Sequence, residues 1–157
     1  LRSGAGLLAT FLTARKVATK FMPSHKRQFG DKGEEAAAEF LLAKGYKIIE
    51  RNWRQKCGEI DIVAAKMEGK IFAKTAVLVF VEVKTIKGDG TDLVTALAAQ
   101  NVHYYKQKRL IRTAKIYLIY KKIPAPTPWR IDVILVVLSP MGELVKIEHL
   151  ESAVWGR

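Results

Sequence analysis

The sequence predicts an α/β fold, a mixed central sheet flanked by helices, and three observations carry that expectation. The run Val77-Leu78-Val79-Phe80-Val81 has no charge and no turn former and is rich in β-branched residues, the pattern of a strand buried on both faces. Another strongly buried strand, Trp129 to Leu138, follows a long segment with an apolar stripe at Leu110, Ala114, Tyr117 and Leu118. Strand, crossover helix and strand make a parallel pair, whereas the hairpin-linked strands before them are antiparallel.

The chain has 157 residues, enough for one domain with a real core, and its 49 % hydrophobic and 27 % charged residues are ordinary for a globular protein. Its one cysteine, Cys57, excludes an internal disulfide and any zinc site built on cysteines, and fits a cytoplasmic location. No stretch approaches the ~20 apolar residues of a membrane span. The net charge of +12 is unevenly spread. Residues 1–30 hold six Lys/Arg and residues 93–131 hold eight, with no acid in either segment. Such segregation suits a polyanion, with nucleic acid ahead of an acidic membrane surface.

In chain order, residues 1–28 read as a basic arm or peripheral helix, with Leu7, Leu8, Phe11, Leu12, Val17 and Phe21 on one side and Pro23-Ser24-His25 ending it. Asp31-x-x-Glu34 has the form of a capping box that opens a helix through Ala37 and Leu41 to Lys44, with Gly45 after its end. Tyr46 to Trp53 is a first strand, with Tyr46, Ile48 and Glu50 on one face. Lys56-Cys57-Gly58 turns into a second strand, Glu59 to Ala65, where alternation sets Glu59, Asp61 and Val63 against Ile60, Ile62 and Ala64. Met67 to Lys70 is a hairpin turn into the core strand at 77–85. Thr91 or Asp92 caps a helical region through Ala99, and a longer helix runs from about His103 to Lys122 until Pro124, Pro126 and Pro128 break it off. The strand at 129–138 and a short last strand, Leu144–Ile147, complete a domain at 29–150, and residues 151–157 form a tail.

The chemistry gathers at the end of the core strand. Glu82 and Lys84 interrupt its apolar pattern on one face, and a carboxylate beside an ammonium there is costly to bury without a pairing or a purpose. The antiparallel neighbour starts where this strand ends, so the Asp61 carboxylate can meet that of Glu82. Two carboxylates, the Val83 carbonyl and water make an octahedral oxygen site for Mg²⁺ or Mn²⁺. Such a metal polarises a phosphoryl oxygen and acidifies water. A lysine alongside can orient or deprotonate that water. The constellation points to metal-assisted phosphodiester hydrolysis.

Gly58-Glu59-Ile60-Asp61 with Phe80-Val81-Glu82-Val83-Lys84-Thr85 resembles the D…E-x-K motif of the PD-(D/E)xK nuclease superfamily. Gly33-Glu34-x-x-Ala37, Gly45-Tyr46, Arg51-Asn52-Trp53-Arg54, Lys106-Gln107-x-Arg109 and Arg130-Ile131-Asp132-Val133 extend the resemblance to the bacterial YraN-like family, related to archaeal Holliday-junction resolvases, over about residues 29–150. The resemblance implies a restriction-endonuclease-like αβββαβ core, with Asp61 and Glu82 as metal ligands and Lys84 as the catalytic lysine. Glu34 matches the extra acidic residue of resolvase-like members, with the capping box as its competing role. Gln107 matches a helical Gln near the site, with a polar surface position as its alternative. Glu59 is either a supporting acid or a surface residue, and Asp132 pairs with a nearby Lys or Arg rather than a metal. Lys106, Lys108, Arg109 and Arg112 supply phosphate contacts. The implied function is a divalent-metal-dependent endonuclease on DNA, including branched DNA. The rival is a DNA-binding protein of the same fold, with little or no activity, in recombination, repair or uptake. Symmetric cutting of two strands would favour a homodimer, and membrane contact by the N-terminal arm is a third reading. Lys66–Thr75 makes the segment between Asp61 and Glu82 longer than the family pattern, and the first 28 residues have no counterpart in it.

Overall fold

Helix, three strands, helix and two strands follow one another along the chain in a computed structural model that describes residues 24–69, 75–91 and 104–154. These are α1 (His25–Ala43), β1 (Lys47–Gln55), β2 (Gly58–Glu68), β3 (Thr75–Lys87), α2 (Tyr104–Tyr120), β4 (Trp129–Leu138) and β5 (Leu144–Val154). The five strands form one sheet in the order β1-β2-β3-β4-β5. Only β3 and β4, joined through α2, are parallel; the other neighbours are antiparallel. The mixed α/β sheet and the αβββαβ order are those expected. The arm helix over residues 1–22, the helical region at 92–99 and the residues after Val154 lie outside the described residues.

Each helix covers one face. Ala37, Ala38 and Leu41 of α1 meet Ile62, Ala64, Val79, Val81, Ile134 and Val136. Leu110, Ala114 and Tyr117 of α2 meet Trp53, Val63, Leu78, Phe80 and Ile131. The run 78–81 therefore buries alternate residues in two different cores, as its uninterrupted apolar character demands.

Several expectations change. The helix starts at Ser24, whose Oγ accepts from Arg27 N–H at 3.3 Å. Asp31 thus lies inside α1, and there is no capping box at Asp31 and Glu34. The far end is as expected: Gly45 (φ 79°) and Tyr46 return their N–H groups to Leu42 and Leu41 at 3.0 Å each. A bulge between Ile48 and Glu50 turns Glu50 to the α2 side, where it accepts from the Tyr117 hydroxyl at 3.1 Å, so it does not share a face with Ile48. Ile60 joins the α2-side core while Ile62 and Ala64 join the other. Met67 and Glu68 remain paired in the β2–β3 ladder rather than forming the turn.

The second helix ends at Tyr120 rather than Lys122. Lys122 adopts φ 54° while Ile123 N–H reaches Leu118 at 2.9 Å, a glycine-type stop made by a lysine. The last strand continues past Ile147 to Val154, because a register shift and Ser152 (φ 52°) let it follow β4 to its start. Elements thus overrun both expected boundaries, at 28/29 and 150/151.

Candidate active site

The candidate site forms where two strands part. β2 and β3 pair from Glu68↔Thr75 to Ile62↔Val81, yet β2 begins at Gly58 and β3 runs on to Lys87. Past Ile62 and Val81 the ladder stops, and the Asp61 carboxylate enters the fork. Its Oδ2 accepts from Val83 N–H at 2.7 Å, satisfying a donor that the lost ladder would otherwise leave unpaired.

Glu82 is on the same face of β3 as Leu78 and Phe80, so it projects towards α2 and is only 7 % exposed. The Lys106 ammonium, from the first turn of α2, donates to Glu82 Oε1. Lys84 follows on that face, half-buried. Burial and then the neighbouring Lys106 charge pull its pKa down, with Glu82 opposing them.

The Asp61 carboxylate is strongly perturbed. Burial pushes its pKa up to about 7, the negative charge of Glu82 adds to the rise, and the Val83 N–H bond holds it back. Glu34 and Glu59 raise it further. Glu34 comes within electrostatic range because α1 approaches β3 closely: a Cβ on Gly33 would collide with the Thr85 side chain. Glu59 also forms an exposed ion pair with Arg54 at 3.4 Å, its surface role. Gln107 is half-buried on the same turn of α2 as Lys106.

The four basic residues divide. Lys106 points inward to Glu82, correcting its expected place among the outward cations. Counting back four residues from Leu110 along the stripe Leu110–Ala114–Tyr117 lands on Lys106, and that spacing was the available signal. Lys108, Arg109 and Arg112 remain exposed and, with Lys56 and Cys57, line an open cleft of about 490 Å³. Close packing builds this cleft: a Cβ on Gly58 would lie 2.6 Å from Thr113 Oγ1, so the β1–β2 turn rests directly on α2. Lys56, at that turn, is a cation the sequence reading did not single out.

A second buried carboxylate has a different setting. Asp132 accepts from Arg130 Nε at 3.0 Å and Ser152 N–H at 2.8 Å, and lies 2.8 Å from His149 Nε2. Burial opposes its ionisation, but these partners prevail and hold its pKa below the usual value. Arg130 also donates to the Tyr46 hydroxyl at 2.9 Å and to Glu68. Asp132 pairs with arginine, as expected.

The donor chemistry at Asp61 and Glu82 suits a hard cation: two carboxylates stand within electrostatic range, and Asp61 is made harder to ionise by burial first and then by the Glu82 charge. Among the described residues no group of three or more His, Cys, Asp and Glu is placed to hold a metal. An ion here would complete its shell with main-chain, water and substrate oxygens. No helix among the described residues is long and apolar enough to cross a membrane.

Comparison with known proteins places this geometry in context. The profile described as Uncharacterised protein family UPF0102 matches residues 33–136. A UPF0102 protein of Roseiflexus castenholzii is 38 % identical over 133 residues, covering 85 % of this chain and 98 % of the relative. One from Chloroflexus aurantiacus is 42 % identical with the same coverage. Another, from Symbiobacterium thermophilum, is 46 % identical over 120 residues, covering 75 % and 89 %. Among solved structures, MspJI restriction endonuclease in complex with a 27-mer oligonucleotide aligns at 18 % identity and a TM-score of 0.33. It covers 88 % of this chain but 25 % of that one.

Proposed function

We infer that this chain, which belongs to the uncharacterised protein family UPF0102, is a divalent-metal-dependent nuclease that hydrolyses DNA phosphodiesters. The observation that carries the reading is the Asp61 carboxylate, inserted at the strand fork beside Glu82 and pushed up to about 7 by burial and that neighbour. Buried carboxylates in a purely structural role are compensated by the protein; Glu82 has the Lys106 ammonium, but among the described residues Asp61 forms no ion pair, and that deficit is one a divalent cation would fill.

In this reading Asp61 and Glu82 would hold Mg²⁺ or Mn²⁺, with the Val83 carbonyl as an additional oxygen, and the ion would supply polarisation of the phosphoryl group and acidification of water. Lys84, whose lowered pKa favours loss of its proton, orients the attacking water and takes up a proton from it. Attack at phosphorus breaks one P–O bond, and the leaving oxygen is protonated from solvent. Glu34 adds negative charge from α1. Lys108, Arg109 and Arg112, with Lys56, hold phosphates flanking the reacting one, and Gln107 contacts water or phosphate beside them. Branched DNA is the substrate that the resolvase resemblance favours.

The Lys106–Glu82 pair supports a second reading. If that ammonium is a permanent counter-ion, the protein binds DNA through the same basic surface and cuts nothing. Incubation with linear, flapped and four-way DNA, with Mg²⁺ or Mn²⁺, separates the two. The nuclease reading expects cleavage by the parent and none by Lys84→Ala. DNA binding without cleavage of any substrate would leave the binder.

A further inference from the structure

A cleft of about 570 Å³ separates the start of α1 from the turn between β4 and β5, away from the α2 side of the sheet. Lys26 and Lys32 of α1 and Lys87 of β3 line it, with His25 at one end, and none of its lining residues is acidic. Among the described residues these three lysines form no ion pair. Lys106, Lys121, Arg51 and Arg130, by contrast, all meet carboxylates. Like charges gathered without counter-ions repel one another and form a site for an anion. The cleft also has an apolar part. The Lys87 ammonium lies 5.1 Å from the Phe29 ring centroid, and Met141 at the opposite wall is 83 % exposed. A partner carrying both phosphates and flat apolar groups fits this lining better than a bare phosphate does.

Its place relative to the carboxylates narrows the occupant. Lys87 and Glu82 stand on the same strand, roughly 16 Å apart at the usual rise per residue. That is the length of about five stacked base pairs. Gly33, next to Glu34, contacts Thr85 between the two places. The cleft therefore continues the carboxylate edge along β3 on the α1 side, while Lys108, Arg109 and Arg112 flank the same edge on the α2 side.

We propose that this cleft is a second nucleic-acid subsite, in which Lys26, Lys32 and Lys87 hold the phosphates of a strand running on past the carboxylate edge and Phe29 and Met141 pack against its sugars and bases. The proposal builds on the nuclease reading by extending its substrate contacts, but its lysines lie outside the proposed metal site. A nucleic acid engaged on both sides bends around the sheet edge and presents its backbone to Asp61 and Glu82.

The test uses the full chain, a fluorescein-labelled DNA duplex with a single-stranded tail, and fluorescence anisotropy over a salt series. Lys32→Glu and Lys87→Glu are each expected to weaken binding about tenfold and to lower the slope of log affinity against log salt by about 1. Their urea midpoints and calorimetric Mn²⁺ binding are expected to match the parent's. Lys47→Glu, at an exposed position of β1, is expected to change neither binding nor slope. Unchanged affinity and slope in both cleft variants overturn the proposal, and they leave the nuclease reading standing if Asp61→Asn still abolishes cleavage. Loss of binding in the cleft variants of a parent that neither takes up Mn²⁺ nor cuts DNA supports the subsite and defeats the nuclease reading. Weakened binding to phosphatidylserine vesicles, with DNA binding unchanged, overturns the subsite in favour of a membrane surface.

Discussion

Asp61, half-buried, and Asp132, fully buried, stand on strands of one sheet, and their surroundings shift their pKa values in opposite directions. Asp132 is surrounded by Arg130, His149 and the Ser152 N–H, which outweigh the cost of burial and hold its pKa low. Asp61 has one N–H donor, from Val83, against burial and the charge of Glu82, and rises to about 7. The difference separates a carboxylate that holds strands together from one that, in the proposed reading, awaits a ligand. β5 reaches Asp132 because it continues to Val154. Among the described residues no strand pairs with β3 on Asp61's side beyond the fork.

The largest break in this comparison is expected from removing each carboxylate. Asp61→Asn keeps an acceptor for Val83 N–H but loses the ligand charge, so DNA cleavage should fall by roughly a thousandfold, equivalent to several kcal/mol of charge stabilisation. Asp132→Ala should remove the shared acceptor of Arg130 Nε, His149 Nε2 and Ser152 N–H and lower stability by about 3–5 kcal/mol, read from urea unfolding.

The pH dependence of stability should carry both signatures. The folded-state pKa of Asp61 is raised, so its contribution is fully present below the usual 3.8 and is lost as pH rises towards about 7. That loss is roughly 4 kcal/mol at most, and Asp61→Asn should therefore be more stable than the parent at pH 8. Asp132 has a lowered pKa, so its contribution is present above 3.8 and is lost as pH falls through its folded-state value. Unfolding midpoints of both variants from pH 3 to 8 check the two signs.

Smaller effects sharpen the contrast. In the proposed reading Lys106 competes with a metal for Glu82, so Lys106→Met should bind Mn²⁺ roughly tenfold tighter by calorimetry, although it removes a cation from the helix which that reading turns towards DNA. Arg109→Ala, at the exposed cleft, should lower the salt slope of DNA binding by about 1 and leave Mn²⁺ binding unchanged.

The strand cores were legible because a strand buried on both faces has to be apolar without interruption, and 77–81 and 133–138 are. Asp61 and Glu82 were legible as neighbours because hairpin topology fixes which strand ends coincide. Their chemistry was less so: nothing local announces that the ladder stops at Ile62 and that the Asp61 side chain takes over a backbone bond. Lys106 was read as an outward cation because its charge outweighed its place on the apolar stripe. The start of α1 was displaced because Asp31 and Glu34 mimic a cap that Ser24 supplies. β5 was cut short because Glu148 and Glu151 break its pattern, and only the folded structure supplies Tyr46 and Arg130 to receive Glu151.

The charge deficit at Asp61 is measured most directly by ¹³C carboxyl NMR of the labelled chain, titrated with and without Mg²⁺. The Asp61 resonance is expected to titrate near 7 in metal-free protein and to move well below that with saturating Mg²⁺, while Asp132 stays ionised throughout. A metal-free Asp61 that titrates like a solvent-exposed aspartate, or one that Mg²⁺ leaves unmoved, would contradict the account.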